Sequence, residues 1–269
     1  MKPPSRFPDR RSLIWQTRQG EAGNEGIVPK PTRPSNLEQR TLFSQQKWRE
    51  FFDFIDGKSH TRWVFRGSGS LTHHCVPGVG RIADFEPVYE ERLFHAFRRT
   101  ATLFVDPVPG SDWEWLALAQ HYGLPTRLLD WSTNPLVACF FAVASGNQAE
   151  DAVIYSYSLN DADIISAKDQ PDPFKIKRVG FLLPASTAPR IVSQRGLFSV
   201  HPKPNEAWEE GQASENRFVI PAQVRAWFRR RLFRLGIDES HIWADLGGLC
   251  AVLKWRYESR IGISAAAFG

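Results

Sequence analysis

The sequence predicts an α+β fold: a central, mostly antiparallel sheet with helices packed around it. Two observations carry that prediction. Apolar residues recur at helical spacing through most of residues 35–144, then alternate with polar neighbours from Val153 to Leu159, then return to helical spacing after Pro221. Helices and strands that segregate along a chain, rather than alternating regularly, indicate α+β. A third observation sets the scale: 269 residues, 42% hydrophobic and 23% charged, are enough for one domain with a sizeable core.

The elements follow in order. Ser35-x-x-Glu38 is a capping box that opens a helix carrying Leu42, Trp48, Phe51, Phe52 and Ile55, stopped by Gly57. Trp63-Val64-Phe65 is a short strand that delivers Arg66 and Gly67 to its C-terminal edge. A loop with Gly69, Pro77, Gly78 and Gly80 leads to a helix over 86–104, with Leu93, Phe97, Ala101 and Phe104 as its apolar stripe. Asp112 caps a further helix that Gly123 closes, and Asn134-Pro135 starts the apolar helix Leu136–Val143, ended by Gly146. That helix has almost no polar face, which places it centrally. Strands are expected at 153–159, 178–183, 190–200 and 217–220. Helices from Pro221 to Leu235 and from Asp245 to Tyr257 complete the chain.

Charge divides the chain. Residues 1–40 hold eight Lys/Arg and four acids, which is +4 of the total +5, so the body is near neutral and not a generic nucleic-acid binder. Residues 1–34 also carry six of the 19 prolines and read as a disordered basic extension, suited to docking an acidic partner. The domain is expected over 35–260, with 261–269 as a tail. No apolar run is long enough to span a membrane and no signal-like core opens the chain. With three widely spaced cysteines and no CxxC pair, this predicts a soluble cytoplasmic protein without a disulfide framework or structural zinc. The Arg-rich stretch 225–234 reads as an amphipathic helix with a solvated basic face, and Cys139 as core.

The densest polar constellation is residues 120–135, taken as a loop between two buried helices. Arg127 and Asp130, three apart, are placed to pair. Trp131 offers a stacking plane, and Ser132 lies just ahead of a helix N-terminus, where anions are favoured. The bland alternative is an internal knot of ion pair, helix cap and core tryptophan, since buried ion pairs often do no chemistry.

Phe65-Arg66-Gly67, then His121-Tyr122-Gly123-Leu124-Pro125-Thr126-Arg127-Leu128-Leu129-Asp130-Trp131-Ser132 and Asn134-Pro135, resemble the FRG domain, a family named for its (Phe/Tyr)-Arg-Gly motif. Glu90-x-x-Leu93 before Phe97, Arg190, Gln194-x-Gly196-x-Phe198 and Ile220-Pro221 extend the similarity over roughly residues 60–255. The family is widespread in bacteria and phages, so the resemblance implies a setting of phage defence or mobile-element conflict.

The arrangement also resembles the ADP-ribosyltransferase pattern, in which an arginine ending the first strand grips NAD, a second element supplies hydroxyls and an aromatic ring, and a later strand supplies a glutamate. On that resemblance Arg66 is the phosphate clamp, Gln194 orients the ligand, and Asp130 or Glu90 stands in for the glutamate, because Gly196 occupies its expected place. Phe65, Gly67, His121, Tyr122, Thr126, Arg127, Trp131 and Ser132 are the expected ligand-binding residues, and NAD the expected cofactor with no metal. Two other classes use the same residues or their neighbours. A non-catalytic module would bind a nucleotide-like anion through Arg66 and Arg127 with Trp131 stacking. A metal-dependent nuclease would need His73, His74, Cys75, His121, Asp130 and His201, which lack metal-motif spacing.

Overall fold

The computed structural model describes residues 35–58, 62–72, 74–184 and 193–262. The basic extension, His73 and Arg190 lie outside the described residues. Six strands form one antiparallel sheet: β1 (Trp63–Ser68), β2 (Leu128–Ser132), β3 (Ala152–Ser158), β4 (Gly180–Leu182), β5 (Gly196–Val200) and β6 (Arg217–Ile220), ordered β4-β5-β2-β1-β3-β6. Among the described residues seven helices surround it: α1 (Asn36–Asp56), α2 (Pro87–Ala101), α3 (Asp112–His121), α4 (Pro135–Ala144), α5 (Ala222–Arg234), α6 (Glu239–Trp243) and α7 (Leu246–Glu258). The fold is α+β, and among the described residues no helix is long and apolar enough to cross a membrane.

Local signals place the helix ends. Ser35 and Glu38 exchange both bonds of the capping box, Asn134 Oδ1 accepts from the Leu136 N–H, and Asp245 Oδ1 accepts from Gly248. The cap of α3 is Ser111, one residue earlier than expected, with Asp112 inside the first turn. In α2 the buried side is Glu90, Phe94 and Ala101, while Leu93 and Phe104 are exposed, so the apolar stripe is rotated by about one residue from the expected one.

The sheet is buried on both faces. Phe65, Ala152 and Ile154 pack with α4, which is backed by α5 and α1; Val64, Val153 and Tyr155 face the opposite way, onto Trp131, Phe181 and Trp208. The helices α2 and α3 close the β2–β5–β4 end around Leu128, Phe198 and Val200. Residues 128–132, expected as loop, form a central strand. A strand covered on both sides shows no apolar–polar alternation, and Leu128-Leu129 hides it. Of the expected run 190–200, residues 190–192 lie outside the described residues and 196–200 form β5, and α6 has no sequence precursor among the expected elements.

Two residues join α4 to β1 closely. A Cβ at Gly67 would lie 1.8 Å from the Ala138 carbonyl oxygen, and one at Gly69 would lie 2.2 Å from that of Ser145. Glycine at these positions is what lets the helix backbone touch the strand. Arg225 closes the far end of α4. It is 1% exposed, not on a solvated face as expected, and its guanidinium donates to the carbonyls of Gly69, Ala142, Ser145, Asn147 and Glu150. A cation there satisfies the orphan carbonyls and the negative end of the helix dipole.

Candidate functional site

Strands β1 and β2 share a single register pair, Phe65↔Ser132, whereas β2 pairs with β5 over all five of its residues. Beyond that pair the seam opens, and Arg66 Nη1 reaches across it to the Asp130 carbonyl oxygen at 2.7 Å. A half-open cavity of about 170 Å³ occupies this gap. Phe65, Arg66 and Gly67 form one wall and Asp130, Trp131 and Ser132 the other. Val137, Ala138, Phe141 and Ser145 of α4 make the floor, and Gln194 closes one side. Arg66, Asp130 and Gln194, distant in the sequence, therefore border one cleft.

Each polar wall residue has a structural tether. Ser132 Oγ donates to the Gln194 carbonyl at 2.6 Å and accepts from the Asn134 N–H, which ties the end of β2 to the segment carrying Gln194. The Gln194 amide in turn donates to the Ile242 carbonyl at 3.0 Å. Asp130 is exposed at the rim; its Oδ2 accepts from Gln120 Nε2 at 3.0 Å, and Gln120 Oε1 accepts from Thr126 Oγ1 at 2.7 Å. Gln120 is thus a positioning residue that the sequence did not single out, though it begins the motif.

Arg66 gives the cleft its sign. It is half-buried, and among the described residues no carboxylate forms an ion pair with it. Its charge is felt by the groups around it. His201 is pushed down to about 3, chiefly by burial and further by Arg66 and Arg127, so the imidazole is neutral. Arg81 is lowered by burial and by Arg66, while burial raises Cys75 to about 11 against the opposing pull of Arg66. A guanidinium with no carboxylate partner among the described residues, on a residue that lines a small cavity, is suited to an oxyanion.

Several expected site residues are elsewhere. Arg127 does not pair with Asp130. Its Nε and Nη2 bind Glu90 Oε1 and Oε2 at 2.9 and 2.6 Å, both side chains being 3% exposed, and the guanidinium lies over the Phe174 ring. Glu90 and Arg127 form an internal ion pair outside the cavity wall, so neither faces a ligand there. Trp131 is 2% exposed; its indole N–H donates to Ser199 Oγ, and its ring packs against Phe181 and Trp208, leaving no stacking plane. Thr126 is buried within the Gln120 relay, and His121 and Tyr122 end α3 away from the wall, with Tyr122 71% exposed. The apolar floor from α4 escaped sequence reasoning, because Val137, Ala138 and Phe141 look like ordinary core. Among the described residues no three His, Cys, Asp or Glu side chains gather as a metal-ligand set.

Comparison with known proteins gives one finding. The family model of the FRG domain matches residues 61–151, which run from β1 through α4 and stop just before β3, and include Arg66 and Asp130 but not Gln194. This is a shorter stretch than the 60–255 suggested by the motifs. No curated protein and no solved structure matches the chain.

Proposed function

This chain carries an FRG domain, and from that premise we propose that the cleft between β1 and β2 binds a nucleotide, with Arg66 clamping its phosphate. The chemistry we assign is transfer from NAD in the manner of an ADP-ribosyltransferase, with Asp130 as the carboxylate and Gln194 as the orienting residue. The observation that supports this reading is that these three residues line one cavity. A carboxylate facing a developing oxocarbenium stabilises it electrostatically, and a guanidinium on the pyrophosphate fixes the leaving direction. Of the two carboxylates expected to replace the missing glutamate, only Asp130 is at the cleft.

Incubation with NAD and a cell extract that supplies the acceptor, with chromatographic detection of nicotinamide, tests the proposal. The wild type is expected to release nicotinamide, and Arg66→Ala and Asp130→Asn to lower the rate about 100-fold or more. Equal rates in wild type and variants would remove it. The biological setting, defence against phages or mobile elements, rests on the FRG resemblance. It predicts that phage plating falls on cells expressing the wild type and recovers with Arg66→Ala.

A second reading has its own support. The cavity is smaller than the roughly 300–1,000 Å³ of sites that enclose drug-sized ligands, and Gly196 stands where a transferase glutamate is expected. A module that binds an anionic ligand without turnover fits both. Nucleotide-dependent rises in Tm that vanish with Arg66→Ala, without nicotinamide release, would decide for it.

A further inference from the structure

A second surface, on the opposite side of α2 from its buried Glu90, carries an independent inference. Arg92, His95, Arg98, Arg99 and Thr102 line a broad, shallow depression of about 680 Å³, all five exposed and all from α2 or its C-cap. Arg92, His95, Arg99 and Thr102 follow i, i+3, i+7, i+10 spacing, so they share a face. Arg92 and Arg99 are then about 10 Å apart along the axis. Arg98 is neutralised by Asp112, but among the described residues neither Arg92 nor Arg99 forms an ion pair with a carboxylate. Aromatic surface flanks this positive face. Tyr89 is 59% exposed beneath the Arg92 guanidinium, and Phe104, just past the helix, is 81% exposed. The helix itself is anchored by Phe94, Ala101 and the Glu90–Arg127 pair, so the face is held in place.

We propose that this face of α2 binds single-stranded nucleic acid, with phosphates on Arg92 and Arg99 and unstacked bases on Phe104 and Tyr89. Unpaired cations match the charge of a phosphate backbone, and exposed rings at both ends match bases that a duplex would keep stacked. The near-neutral body does not oppose this, since the cations are concentrated on one helix face.

Fluorescence anisotropy of the full chain with a labelled oligo(U) at several salt concentrations tests it. The wild type is expected to bind, more weakly as salt rises. Arg92→Ala/Arg99→Ala should lose at least tenfold in affinity at low salt, with a plot of log K against log salt shallower by about 1.4, at ~0.7 per lost phosphate contact. Phe104→Ala should weaken binding roughly fivefold or more. Arg66→Ala should bind as the wild type does, which separates this surface from the cleft. No binding at low salt, unchanged affinity in the double variant, or equal affinity for a duplex of the same length would overturn the proposal. Arg92→Lys/Arg99→Lys, which keeps the charges, should retain most of the affinity.

Discussion

Strand β1 has two neighbours and holds them differently. Toward β3 it makes six consecutive register pairs, from Trp63↔Ser158 to Ser68↔Val153; toward β2 it makes one, Phe65↔Ser132. The sheet is thus two half-sheets, β6-β3-β1 and β2-β5-β4, joined at one point and spanned by α4. The closed edge is paired along its whole length. At the open edge lie the cavity, the unpaired guanidinium of Arg66 and the exposed carboxylate of Asp130. The difference teaches that opening the seam leaves backbone groups of β1 and β2 that face each other without a strand partner, and the Arg66 guanidinium takes over one of them, the Asp130 carbonyl.

Substitutions that strike the buried contacts behind the strands should break the molecule, while those of the polar residues at the open edge should leave it folded. The largest effect is expected from Gly67→Val. The first added carbon already meets the Ala138 backbone oxygen at 1.8 Å, and a helix backbone cannot step aside as a side chain can. The expected result is an insoluble chain or one with no cooperative unfolding transition. Next is Glu90→Ala, which leaves the buried Arg127 charge without its partner and should cost about 3–5 kcal/mol in urea denaturation. A loss below ~1 kcal/mol would show that Arg127 finds other partners and that the pair does not anchor α2.

The pH dependence tests the β2–β5 half. His201 has a folded value of about 3 against an ordinary value of 6.5, so between these limits the unfolded chain binds the extra proton. Stability is therefore full above about pH 6.5 and falls as pH drops toward 3, by up to ~1.4 kcal/mol per unit from this group. Replacing the ring with His201→Gln should flatten that part of the urea-midpoint profile; an unchanged slope would assign the acid sensitivity to other groups. The smallest stability effect is expected at the cleft itself. Arg66→Ala removes one half-buried bond to the Asp130 carbonyl and should shift the midpoint by less than ~1 kcal/mol while abolishing ligand-induced stabilisation. A large loss of stability would make Arg66 a scaffold residue and close the comparison in favour of a purely structural seam.

Much of the scaffold was legible in order of sequence. The capping box at Ser35 and Glu38, the Asn134 cap and the apolar helix α4 came out as expected, and the FRG motif pointed to β1 and to the turn into α4. The glycine of that motif gained a physical reason only from the structure, as the point where α4 touches β1. The site was legible in part. Arg66, Asp130, Gln194, Phe65, Gly67 and Ser132 border the cavity, whereas Glu90, Arg127 and Thr126 turned inward, and Trp131 presents a wall but no stacking face.

What the sequence alone determined was local: most helix ends and the class of fold, because caps and amphipathic stripes are written within a few neighbouring residues. What only the tertiary structure decided was partnership. Arg127 chose Glu90, 37 residues away, over Asp130, three residues away; Arg225 left the basic face of α5 for five carbonyls around the end of α4. A charged side chain takes the partner that removes it most completely from an uncompensated burial. That partner is set by how the layers stack, and spacing along the chain does not encode it.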